Sequence, residues 1–190
     1  MGCLSFNGNK IITSGGGGML LTQDAELAQR AKHLSTQAKT DAIEYLHDEV
    51  GYNYRLVNVL AAIGVAQMEL LAEFVARKQA IAATYREALA GVGDIRFQAY
   101  LPEVAPNEWL FTIRTTRSRE LMQHLHAAGI GSRPLWTPLH RQPMFAHSPY
   151  ISTADHATAL HAEGLSLPCS THLSAKEQAY VVDAIRNFYI

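Results

Sequence analysis

Ser5-Phe6-Asn7-Gly8-Asn9-Lys10-Ile11-Ile12-Thr13-Ser14-Gly15-Gly16-Gly17-Gly18 decides how the chain is read. A single lysine stands among small polar residues, ahead of four glycines and the apolar run Met19-Leu20-Leu21-Thr22. A lysine amine does covalent chemistry only where its surroundings favour the neutral form and aim it at an electrophile. Ser, Asn, Gly and Thr are small enough to let a phosphate-bearing cofactor approach the backbone around Lys10. The stretch is not a nucleotide-binding phosphate loop. That pattern needs Gly-x-x-x-x-Gly-Lys-Ser/Thr opening a helix, and here the glycines follow the lysine and lead into a strand. Taken alone, the four glycines read as a flexible turn that lets a strand tuck under a neighbour. A chemical lysine this close to residue 1 raises the expectation that upstream sequence is absent.

Outward from that stretch, Met19 to Thr22 reads as a short buried strand, and Asp24 can cap a helix from Ala25 to Leu34. Residues 35–53 read as a long polar loop, of the kind that is functional or crosses to a partner subunit. A second constellation ends it: Gly51-Tyr52-Asn53-Tyr54-Arg55-Leu56, then Asn58, Ala61-Ala62 and Gln67. Asn53 and Arg55 stand just before a helix whose N-terminus favours anions. A capping asparagine and a surface arginine account for them equally well.

From Val57 to Leu89 the sequence is helix-forming almost without break. Leu60, Ile63, Gln67, Leu70, Phe74 and Arg77 follow three-and-four spacing. A helix of about thirty residues spans roughly 45–50 Å, so it bends or connects two domains. Gly91 and Gly93 stop it. Beyond, Ile95-Arg96-Phe97, Leu110 to Arg114 and Ile130 to Leu135 read as strands. Ser118 can cap a helix to Ala128, with Gly129 past its end. Pro134, Pro138 and Pro143 force an extended loop, and Ser152 to Glu163 reads as a helix closed by Gly164. Ser174 and Glu177 form a capping box opening a last helix from Ala175 to about Tyr189.

Hydrophobic residues make up 48% of the 190 and charged residues 17%, enough apolar material for a core. A formal net charge of −1 argues against nucleic-acid binding through a basic surface. Cys3 and Cys169 form neither a disulfide framework nor a zinc pattern, which points to a reducing cytoplasm. The apolar stretch Leu56 to Val75 is interrupted by Asn58, Gln67, Glu69 and Glu73, so it reads as a core helix and no membrane span is expected. His124 and His126 are two apart and His156 and His161 five apart, so neither pair shares a helix face. No metal site is expected, and most histidines read as surface residues.

Together the two constellations resemble the DegT/StrS-type sugar aminotransferase family of fold-type-I pyridoxal-phosphate enzymes. Ser5, Phe6, Lys10, Thr13 and Gly16-Gly17 match its lysine segment, and Gly51 to Gln67 matches its Gly-Tyr-Asn-x-Arg segment. Leu165-Ser166-Leu167-Pro168 and the helix after it look like the family's ending. The resemblance implies an α/β fold in three parts: a remnant of the large cofactor-binding domain (1–56), a linking helix (57–89) and a small α+β domain (90–190). It implies that Lys10 forms the internal aldimine with pyridoxal 5′-phosphate and that Ser5 hydrogen-bonds the phosphate. Asn53, with Arg55 close by, would reach the phosphate of a neighbouring subunit's cofactor, making a homodimer.

His140 lies in the loop that in this family faces the sugar nucleotide, and a solvent-facing loop histidine is the open alternative. The implied reaction is transamination of a nucleotide-linked keto sugar with an amino-acid donor, glutamate by expectation. The wording of Ser5 to Gly18 resembles enzymes making 4-amino sugars for lipopolysaccharide, exopolysaccharide or nonulosonic-acid precursors. Relatives that dehydrate sugars replace the lysine by histidine, so Lys10 favours the transaminase. Family members run to roughly twice this length, so the expectation is a C-terminal half, inactive alone. The competing expectation is a non-catalytic remnant or interaction domain that oligomerises through an exposed former domain interface.

Overall fold

The glycine run turns the chain back on itself. In a computed structural model, which describes residues 1–41 and 43–190, strand β1 (Gly2–Ser5) pairs antiparallel with β2 (Gly18–Leu21). Gly2 lies opposite Leu21 and Ser5 opposite Gly18. Only glycine fits at 18, because a Cβ there would lie 2.4 Å from the Leu4 carbonyl oxygen. The strand expected to be buried is not: Met19, Leu20 and Leu21 are 50%, 43% and 49% exposed. A two-stranded ribbon buries neither face by itself.

Asp24 accepts a 3.0 Å bond from the Leu27 N–H and opens α1 (Ala25–Ser35), as its sequence predicts. The long loop that follows is tied at its neck. Thr36 bridges Asn53, the Tyr52 N–H donates to the Leu34 carbonyl at 2.8 Å, and the Tyr54 N–H donates to the Ser35 carbonyl at 3.0 Å. The helical run expected from 57 to 89 is two helices, α2 (Asn58–Glu69) and α3 (Leu71–Ala88). They break at Leu70, whose N–H turns to the Gln67 carbonyl. No residue of α2 is buried; of the apolar stripe, Leu60 is half-buried, and Ile63 and Leu70 at the break are exposed.

The chain divides into two compact units, residues 1–73 and 74–190. The second unit continues through β3 (Arg96–Phe97), β4 (Phe111–Arg114), α4 (Ser118–Ala127), β5 (Arg133–Pro134), α5 (His156–Glu163), β6 (Gly164–Leu167) and α6 (Ala175–Tyr189). The strands form one antiparallel sheet in the order β3-β4-β6-β5. Alternation along β4 buries Phe111 and Ile113, and Leu165 and Leu167 of β6 join them. Ile81 and Tyr85 of α3, Leu89 just past its end, Leu121 and Leu125 of α4, and Val182 and Ile185 of α6 complete that core. Lys78 is buried at its edge, its ammonium donating to the carbonyls of Trp109 (2.9 Å) and Cys169 (2.8 Å). Paired this way, the buried cation is tolerated.

Several boundaries differ from the sequence reading. Ser118 does not cap α4; Arg117 occupies that position, and the Ser118 hydroxyl reaches the Gly164 carbonyl. The strand expected over 130–135 shrinks to Arg133–Pro134, and it lies on a sheet edge, where a proline is tolerated. α5 starts at His156 and not Ser152, because Asp155 adopts a left-handed φ of 42°. Gly164 opens β6 as well as closing α5. The capping box at Ser174 and Glu177 is present as predicted. Among the described residues, no single helix is long and apolar enough to cross a membrane.

Candidate active site

Lys10 lies half-buried in a loop that folds onto its own neck. The Phe6 N–H donates to the Gly17 carbonyl (3.0 Å), the Ser14 N–H to the Phe6 carbonyl (3.2 Å), and the Lys10 N–H to the Asn7 carbonyl (3.0 Å). Asn7 and Gly15 form a further bridge. Two hydroxyls reinforce this frame. Thr13 Oγ1 donates to the Phe6 carbonyl at 2.8 Å and accepts the Gly15 N–H at 2.8 Å. Ser14, fully buried, donates its hydroxyl to the Gly16 carbonyl at 2.6 Å. Ser5, exposed at the end of β1, accepts the Asn7 N–H at 3.3 Å. A Cβ placed on Gly8, Gly15 or Gly16 would meet no atom within 4 Å, so the flank of the loop is open.

Asn53 and Arg55 are both exposed on the stretch between the long loop and α2. Tyr52 and Tyr54 stack on either side of Asn53 in sequence, with ring centroids 5.1 Å apart. Gly51 is obligatory because a Cβ would fall 2.5 Å from the Ala38 nitrogen. The two motifs meet at two points. Leu56 lies so close to Gly17 that a Cβ there would come within 2.7 Å of its Cδ1, and a Cβ on Gly64 of α2 would lie 3.7 Å from that of Ser14, an ordinary packing distance. Ser5 and Lys10 thus share one loop, and the segment bearing Asn53 and Arg55 is packed against its base.

His140 belongs to the second unit, in the turn Leu139–Arg141. It is not a solvent-facing loop histidine, for its side chain is 19% exposed. Its ring stacks on Tyr150 with centroids 3.7 Å apart, and Nε2 stands 3.2 Å from Thr158 Oγ1 and 3.8 Å from Asp155 Oδ1. The Tyr150 hydroxyl donates to Asp155 at 2.7 Å, and this bond, with that from Thr158, holds the Asp155 carboxyl below its usual range.

One charged cluster in the first unit has no signal in the sequence. His33 Nε2 lies 2.7 Å from Asp48 Oδ1 and 3.5 Å from Glu49 Oε1, and Arg30 pairs with Glu49. The hydrogen bond to His33 lowers the Asp48 carboxyl, and the bond to Arg30 lowers that of Glu49. Three potential ligand atoms within 4.8 Å resemble a cation site, but the Arg30 guanidinium already neutralises Glu49. The cluster acts as a clasp between α1 and the long loop. Fifteen residues separate His33 from Asp48, so only closure of that loop brings them together.

The DegT/DnrJ/EryC1/StrS aminotransferase family matches residues 1–186. GDP-perosamine synthase of Escherichia coli O157:H7 is 36% identical over 97% of the chain, which spans 50% of that protein. UDP-N-acetyl-3-dehydro-alpha-D-glucosamine 3-aminotransferase of Acidithiobacillus ferrooxidans is 34% identical over 98% of the chain and is covered over 50% of its length. Among solved structures, Streptomyces venezuelae DesV in complex with a ketimine intermediate superposes with a TM-score of 0.90 at 33% identity. That match covers 98% of this chain and 51% of DesV. The chain therefore spans about half the length of the curated relatives it matches.

Proposed function

The chain belongs to the DegT/DnrJ/EryC1/StrS aminotransferase family and has the α/β fold of fold-type-I pyridoxal-phosphate transferases, and on that premise we propose that it is the C-terminal half of an enzyme aminating a nucleotide-linked keto sugar. Glutamate is the amino donor in this reading, and the product is an amino sugar for a bacterial surface polysaccharide, made in the cytoplasm. The observation that carries the proposal is Lys10 itself: a half-buried amine in a loop braced by Thr13 and Ser14, with an open glycine flank beside it. That flank, with an exposed serine hydroxyl at the base of the loop, fits a flat aldehyde carrying a phosphate.

Bound there, pyridoxal phosphate supplies the electron sink that makes the donor's α-carbon acidic. The chain's own residues do the rest. Lys10 Nζ holds the cofactor, takes the proton from the donor's α-carbon, and in the second half-reaction delivers a proton to the sugar carbon that receives the amine. Ser5 Oγ donates to the phosphate. Asn53 and Arg55 serve the phosphate in a second subunit, so the site belongs to a homodimer, and His140 is assigned to the sugar-nucleotide side. The relatives named above act on GDP- and UDP-linked sugars by their names, which supports the substrate class and leaves the base open. Turnover is assigned to the longer protein, because α2 exposes Val59, Ile63, Val65 and Met68 on more than one side and so apolar a helix needs cover.

The proposed longer protein, given pyridoxal phosphate, glutamate and a panel of GDP- and UDP-linked keto sugars, should release 2-oxoglutarate beyond one equivalent per site only when a keto sugar is present. Lys10→Ala should abolish the release. Undiminished release from Lys10→Ala contradicts the proposal.

A further inference from the structure

We infer that Thr13 is a positioning residue for Lys10, its hydroxyl being the tie that closes the loop carrying the amine. Thr13 stands three residues from Lys10, and its side chain does two things at once. It gives its only proton to the Phe6 carbonyl on the incoming side of the loop and accepts the N–H of Gly15 on the outgoing side, both at 2.8 Å. The Gly15 bond spans only two residues, and after it the chain turns through Gly15's left-handed φ of 84°. The Phe6 carbonyl receives a second bond from the Ser14 N–H, so one oxygen anchors two consecutive residues of the returning side of the loop. Ser14 is itself fully buried, with its hydroxyl on the Gly16 carbonyl.

The same geometry separates Thr13 from Ser5. The donor of Thr13 is committed inside the loop, so the residue acts through Lys10 and not on a phosphate. Ser5 keeps its proton, since the one bond described for its hydroxyl is an acceptance. Valine has the shape of threonine without the hydroxyl, and in Thr13→Val the Gly15 N–H and one lone pair of the Phe6 oxygen lose their partner. The functional meaning of this tie rests on the reading of Lys10 given above. Its test does not, because it uses no cofactor.

The 190-residue chain is dimethylated on its lysines with 13C-formaldehyde, which keeps their charge, and the methyl signals are followed by NMR with hydrogen exchange read in parallel. In the wild type, the Lys10 signal stands apart from that of exposed Lys32. In Thr13→Val it moves onto that position, exchange over residues 6–17 rises roughly three- to tenfold, and the Lys39 and Lys176 signals stay in place. Thr13→Ser retains the wild-type signal. A Lys10 signal unmoved in Thr13→Val overturns the proposal, whatever exchange does. Should Thr13→Val fail to fold, the wild type still decides: Gly15 must exchange more slowly than Gly8 in the same loop, and equal rates overturn the proposal.

Discussion

Asp94 shows how much a single side chain can tie together in this molecule. Its carboxylate accepts bonds from the Thr115 hydroxyl, the Thr116 hydroxyl (2.6 Å) and N–H (2.7 Å), and the Tyr189 hydroxyl (3.1 Å). These bonds, Thr115's first, hold the group well below the usual carboxylate range. A carboxyl depressed in the folded state contributes stability that is present above its unfolded value, about 4, and is lost as pH falls through the folded value. Asp94→Ala is therefore expected to lower stability at pH 7 by about 1 kcal/mol, a modest loss because the group is largely solvated. The gap between variant and wild type narrows as pH drops below about 4. Urea unfolding at pH 7 and pH 3 measures both, and a gap that widens at pH 3 contradicts the assignment. In the sequence this segment shows only two glycines ending a helix. Thr115 and Tyr189 lie 21 and 95 residues away, beyond anything local spacing encodes.

The elements divide by whether their determinants are local. The capping box of α6 is local: Ser174 Oγ accepts the Glu177 N–H at 3.2 Å, and the Glu177 carboxylate accepts the Ser174 N–H at 2.8 Å. It was legible, and Ser174→Ala should cost about 1 kcal/mol; an unchanged melting midpoint would count against the cap. α1 was legible for the same reason, through Asp24. The break between α2 and α3 was not, since neither glycine nor proline marks Leu70 and helix propensity runs straight through it. The start of α5 depends on the left-handed Asp155, held through its N–H by Ser152 Oγ at 2.9 Å. Composition favoured a helix from Ser152, and the turn won. β6 is four residues long, with its hydrophobic Leu165 and Leu167 facing the core, too short for periodicity to identify as a strand.

At the scale of the chain, the second unit carries nearly the whole buried core. Among the described residues, the first unit buries only Ala38 and Ser14. Both motifs of chemical interest lie in that first unit. Residue types alone marked Lys10 and Asn53 as candidates and left Asn53 open to a capping role; the family resemblance supplied the roles proposed for them. What stayed hidden was the close approach of Leu56 to Gly17 and of α2 at Gly64 to Ser14, because it joins segments brought together only by folding.

The central claim is that the amine of residue 10 bonds the cofactor's aldehyde. Borohydride reduction of the proposed longer protein saturated with pyridoxal phosphate, followed by peptide mass spectrometry, tests it most directly. The account predicts a phosphopyridoxyl group on the peptide containing Lys10, in excess over Lys32, Lys39 and Lys176. Label spread over those surface lysines with none on Lys10 would contradict it.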